Sequence, residues 1–137
     1  MLLRFAAGTV VSSCLIAIGA AVVLALRVFT GQRFYQMTAL WCLVPFVWGV
    51  WMMLAPRSWI EKRLAAWGAI LGVLAGIAGI YLLDVPQRVA GFSVPAGLKP
   101  LGVLLAGVIY GVVWIAVGRV YRALTLAPAS TAKSAAT

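Results

Sequence analysis

The sequence predicts an all-α fold, a polytopic integral membrane protein with four transmembrane helices in an antiparallel up-down bundle. Composition is the first reason: 65% of the 137 residues are hydrophobic and 9% charged, with a mean hydropathy of +1.11. Soluble domains average about 45–50% apolar and about 25% charged residues. The second reason is where the charges fall. They cluster, and leave four charge-free stretches at 5–26, 34–56, 64–83 and 100–118. At about 1.5 Å of rise per residue, each can cross a hydrocarbon core about 30 Å thick. None alternates polar with apolar residues as a membrane barrel strand must.

The first span, 5–26, follows a single cation, Arg4, and superficially resembles a secretion signal. Its apolar run is too long, because such a core usually has about 7–15 residues. The V-S-S-C at 11–14 has some likeness to a bacterial lipidation box, but cleavage there would truncate the span, so the segment is expected to stay. Span two, 34–56, carries Pro45, which removes a backbone donor and should bend the helix. Trp41, Trp48, Gly49 and Trp51 lie near it, and the bend could open an apolar side pocket for a lipid tail or quinone-like ligand; a packing kink is the simpler expectation. Cys14 and Cys42 sit in mid-span at similar depths and read as small apolar core residues.

Span three, 64–83, places Ala65, Gly68, Gly72, Gly76 and Gly79 within an arc of about 80° at 100° per residue. Ile70, Val73, Leu74, Ile77, Ile80 and Tyr81 take the opposite face. In water, each interior glycine would cost about 1 kcal/mol relative to alanine. In lipid, where helices associate by close van der Waals approach, such a stripe is a packing surface. Span four, 100–118, repeats the device with Gly107, Gly111 and Gly118, and Trp114 among them suggests a knob for a neighbouring glycine groove. Ser13, Ala17, Ala21 and Ala25 form a weaker stripe in span one. These faces are candidate sites for helix packing or for a partner.

The connections are 27–33, 57–63 and 84–99, followed by a tail, 127–137, that is small, polar and aperiodic and is expected to be disordered. Aromatic residues near both edges, among them Phe5, Phe29, Phe34, Trp59 and Phe92, suit a membrane interface. Loop 84–99 holds two prolines and two glycines with Val85, Val89, Phe92 and Val94, and reads as a connection lying in that interface. Loop 55–63 is the densest basic patch, and Arg57, Lys62 and Arg63 are expected to contact lipid headgroups. Seven Lys and Arg residues lie on the N-terminal side of the spans and four on the other, which favours both termini in the cytoplasm. The excess of arginine over lysine, with abundant Ala, Gly and Val, suggests a bacterial inner membrane.

The net charge of +9 does not imply nucleic acid, because the cations are scattered at span ends where they snorkel to headgroups. No ionisable residue lies inside a span, as proton relays and cation-coupled carriers require. Four short spans resemble the plan of small multidrug transporters, but those depend on an acid in the first span, where this chain has Thr9, Ser12, Ser13 and Cys14; no family is assigned. The chain has no His and only two acids, Glu61 and Asp84, so acid–base and covalent catalysis lack their residues. No enzyme, cofactor or metal site is expected. The reading that remains is a non-catalytic accessory or stabilising subunit of a larger membrane assembly, acting through its small-residue faces. The alternative is a small self-oligomerising transporter or lipid-handling protein for a hydrophobic or amphiphilic substrate. Its partners would be membrane lipids and another membrane protein or a second copy.

Overall fold

In the computed structural model, residues 1–27 and 32–134 are described, without the side chains of 32–34, 36, 37, 61, 62, 89, 90 and 127–134. Phe29, the side chains of Phe34, Glu61, Lys62 and Val89, and those of the tail lie outside the description. The described residues are helical, with no strand among them: α1 Leu2–Leu26, α2 Gln32–Leu54, α3 Arg57–Lys62, α4 Leu64–Ile77 and α5 Lys99–Ser134. Three helices are long and apolar enough to cross a membrane, Leu2–Leu26, Leu64–Leu82 and Ala96–Leu126. The apolar part of α2, Thr38–Leu54, is shorter, about 25 Å by the helical rise.

Helix ends follow local chemistry. Arg27 terminates α1 in the left-handed conformation (φ 51°), its N–H returning to the carbonyls of Val23 and Leu24. Pro56 precedes α3, which turns the basic loop into a short helix with Trp59 and Ile60 half-buried. Helix α4 widens into a π-helical turn, Ala78–Leu82, closed by Leu83 N–H on the Ala78 carbonyl. Asp84 then reverses the chain with φ 46°, a conformation that Asp tolerates better than most residues. The connection to α5 is helical in part, with a second π-turn at Pro86–Ala90 and a 3-10 turn at Ala96–Leu98. Prolines and glycines limit each turn to a few residues without abolishing helix. Beyond Arg119 nothing breaks α5, which passes through both arginines and is continuous to Ser134.

Helices α4 and α5 pack antiparallel, and glycine makes the contact. A methyl group on Gly72 would stand 2.5 Å from the Ala106 carbonyl oxygen and 2.9 Å from Gly107 Cα. One on Gly68 would fall on the Trp114 side chain, and one on Gly76 would lie 3.1 Å from Val103 Cα. From the other helix, Gly107 meets Val73, Gly111 meets Ala65 and Ala69, and Gly118 meets Leu64. Ile70, Leu74, Ile77 and Tyr81 face outward and are exposed, an apolar surface suited to lipid.

Helices α1 and α2 form a second antiparallel pair by the same means. A methyl on Gly8 would stand 2.6 Å from the Trp48 carbonyl oxygen, and one on Gly49 would strike the Phe5 ring and Thr9 Oγ1. Thr9 and Ser12 donate within their own helix, Thr9 Oγ1 to the Phe5 carbonyl (2.9 Å) and Ser12 Oγ to that of Gly8 (2.9 Å). The buried Ser12 hydroxyl and the half-buried Thr9 hydroxyl are thereby satisfied. The Ser13, Ala17, Ala21 and Ala25 stripe is exposed; the face of α1 that packs is the adjacent one, with Ala7, Gly8, Val11 and Ser12.

A substitution that needs backbone to move separates this packing from mere tolerance of glycine. Gly72→Leu is expected to destabilise the protein by about 1–3 kcal/mol, the range for overpacking. Gly79→Ala, whose new methyl would only touch Val85 at 3.9 Å, should change stability by less than about 0.5 kcal/mol. Reversible unfolding in mixed detergent micelles measures both.

Candidate functional site

Among the described residues, the two helix pairs share their buried core at one end. The buried core, Ala7, Val11, Trp48, Met52, Leu64, Leu71, Trp114 and Val117, lies in the half nearest the chain's N-terminus. Trp114 is fully buried, seated on Gly68 and 5.8 Å from the Trp48 ring, which lies 5.2 Å from that of Tyr110. The Trp114 Nε1 has no hydrogen-bond partner among the described residues. An unpaired buried donor costs about 1–3 kcal/mol, so Trp114 serves here through volume rather than polarity.

Below this layer, α2 and α4 are joined by a reciprocal tryptophan pair. Trp51 Nε1 donates to the Trp67 carbonyl (3.1 Å) and Trp67 Nε1 to that of Trp51 (3.0 Å), with the rings stacked at 4.7 Å and 20°. Ala55 N–H bonds to Met52, so the Trp51 carbonyl is one of the last acceptors of α2 without an intrahelical donor. The Trp67 indole satisfies it. Arg4 Nη1 donates to the Ala55 carbonyl just beyond the end of α2, at 3.1 Å. Trp59 closes the cluster edge-on against Trp67, at 5.8 Å and 79°.

At the far end the pairs separate and leave a lateral cleft of about 550 Å³. Small residues of α4 and α5, Ala75, Gly76, Gly79 and Ala106, form one wall; Leu40, Trp41 and Val44 of α2 form the other; and Leu83, Val85 and Pro86 close its outer end. Gly79 thus lines the cleft instead of the α4–α5 contact. Tyr110 supplies the one hydroxyl in the lining. Among the described residues no carboxylate, thiol or cation lines it, so the cleft accommodates an apolar chain and offers little to an ion. A smaller cavity continues from it past Leu43, Val47 and Leu71.

The other predicted residues are placed as follows. Gly68, Gly72, Gly76, Gly107, Gly111, Gly118 and Trp114 lie together between α4 and α5, so their faces are occupied within the chain. Arg57 and Arg63 are exposed at the end that carries the N-terminus; the Lys62 side chain lies outside the description. Cys14 and Cys42 are exposed free thiols. No cluster of three or more His, Cys, Asp or Glu residues that could hold a metal exists among the described residues. Sequence reasoning missed Gly8 and Gly49, the contacts of the first pair. Gly8 with Ser12 is itself a small-xxx-small pair, the signal that would have pointed to this face.

The tryptophan pair has a measurable signature. A double-mutant cycle between Trp51→Leu and Trp67→Leu should give a coupling of about 0.5–1.5 kcal/mol beyond the area lost, read from unfolding in mixed micelles. A coupling near zero would mean that α2 and α4 are held elsewhere. Comparison with known proteins adds nothing: no family model, curated protein or solved structure matches this chain.

Proposed function

We propose that the protein is a four-span integral membrane bundle that binds an apolar or amphiphilic chain, such as a lipid tail, in the cleft between its helix pairs. It is read as non-catalytic and free of a cofactor. The observation that carries this reading is the cleft itself, wide enough at about 550 Å³ for a hydrocarbon chain and lined by apolar groups with one phenol. In this reading α2 is the fourth span, its short apolar run extended by Trp and Tyr residues at the interface. The charge bias, seven cations against four, supports a reading with both termini in the cytoplasm, and composition favours a bacterial inner membrane.

The accessory-subunit reading rests on a different observation. With the α4 and α5 glycines occupied inside the chain, the surface left for a partner helix is the exposed stripe of α1. Ser13 and Ala17 there border a groove of about 340 Å³ with Thr38, Cys42 and Pro45 of α2. A partner span seated there should be released from the extracted complex by Ala17→Leu.

The cleft reading is tested with a photoreactive phosphatidylcholine carrying its label on the acyl chain, reconstituted with the protein in lipid nanodiscs. Crosslinks are expected to concentrate on Trp41 and Tyr110, and Ala78→Phe, which fills the cleft, should reduce them several-fold. Val108→Phe on the outer face of α5 should not. Equal labelling of Val108 and Tyr110, unchanged by Ala78→Phe, would reduce the cleft to ordinary lipid contact.

A further inference from the structure

At the end opposite the cleft, three separate elements enclose a cavity of about 440 Å³: Met1, Leu3 and Arg4 from α1 and the residue before it, Arg57 and Ile60 from α3, and Tyr121 from α5. It differs in character from the apolar cleft, because two guanidinium groups distant in sequence converge on one space. Arg4 is half-buried and held in place by the bond from Nη1 to the Ala55 carbonyl, which leaves its other N–H groups for a ligand. The surroundings are cationic. Arg4, Arg57, Lys62, Arg63, Arg119 and Arg122 all belong to this end, against Glu61 as its one acid in the sequence, so even a Glu61 pairing with Arg57 leaves an excess of positive charge.

We infer that this cavity is a binding site for the phosphate of an anionic phospholipid headgroup. Forked guanidinium donors match a phosphate's oxygens, and charge complementarity selects an anion. The apolar members Leu3 and Ile60 of the lining favour a lipid over a free anion, and the exposed Leu2 and Leu3 of α1 offer apolar surface next to the cavity. Acyl chains can descend along that surface while the headgroup stays between the arginines. The site lies just beyond the charge-free first span, at headgroup depth. Bound lipid would tie α3 to α1 and α5, which already pack against each other. The inference rests on the four-span reading for its membrane, and is independent of what fills the cleft.

The experiment is native mass spectrometry of the full chain released from nanodiscs of phosphatidylcholine doped with phosphatidylglycerol, after flotation has shown membrane partitioning. The wild-type protein should retain phosphatidylglycerol in preference. Arg57→Gln, which breaks no internal bond among the described residues, should lower that preference about fivefold, the effect of one interfacial cation near anionic lipid. Adding Arg4→Gln should abolish it, whereas Arg88→Gln at the opposite end should leave it intact. A wild-type protein without preference, or one whose preference survives Arg57→Gln, overturns the site. Displacement of the lipid by millimolar inorganic phosphate would overturn the lipid in favour of a free anion. Failure to float with membranes would overturn the four-span reading, and the site with it.

Discussion

The close approach of α4 and α5 is the contact on which the rest of the bundle depends. Surrounded by hydrocarbon, two helices gain nothing by hiding apolar side chains from each other. What holds them is the number of atoms brought to van der Waals distance, and that rises steeply when backbones touch. Gly72 against Ala106 and Gly107 supplies such a contact, and Gly68 supplies a seat. Trp114 fills the seat and stands beside Trp48. Trp48 in turn offers its backbone to Gly8 of α1. Position thus passes from the α4–α5 pair, through two indole rings, to the α1–α2 pair.

The same rule governs polar groups, for which a membrane interior provides no water. Ser12 returns its proton to its own helix, and Thr9 lies within reach of its own Phe5 carbonyl and of the Pro45 carbonyl of α2. At the end of α2 the Trp51 carbonyl is met by Trp67, and the Ala55 carbonyl just beyond it by Arg4, so the region where one helix terminates is also what docks it to two others. Trp114 Nε1 is the exception, and it sits where packing volume matters most. Aromatic and basic residues concentrate at this end, which is therefore tight. The far end is built from alanine, glycine and short turns, and there the pairs separate into a cleft.

This asymmetry shapes the functional reading. An apolar cleft with one hydroxyl favours a chain-like ligand in one half of the bundle, and a cationic cavity favours an anion at the opposite end. The two lie at different levels of the bundle, Tyr110 lining one and Tyr121 the other, about 16 Å apart along α5 by the helical rise. The outward faces of α4 and α5, with Ile70, Leu74, Leu104 and Val108 exposed, are compatible with contact to lipid. The exposed small-residue face of α1 is the place where a second protein would fit.

By itself, the sequence determined that the chain is helical and where its long apolar runs lie, because in hydrocarbon such a run satisfies its backbone most simply as a helix. It did not set every helix limit: α5 runs on through Arg119 and Arg122, and the basic loop holds the short helix α3. It also determined which faces of α4 and α5 are made for contact, because spacing along a helix is a local property read directly from residue numbers. Only the tertiary structure decided what those faces meet. The stripe of Gly68, Gly72 and Gly76 met α5 of the same chain rather than a partner, Gly79 was left to the cleft, and α1 packed through Gly8 and Ser12 instead of Ser13 and Ala17. The Trp51–Trp67 exchange and the convergence of Arg4 with Arg57 are likewise absent from any one-dimensional pattern. Each requires the depth and rotation of two helices relative to one another, and those are set by how all the side chains pack together, not by the period of either helix.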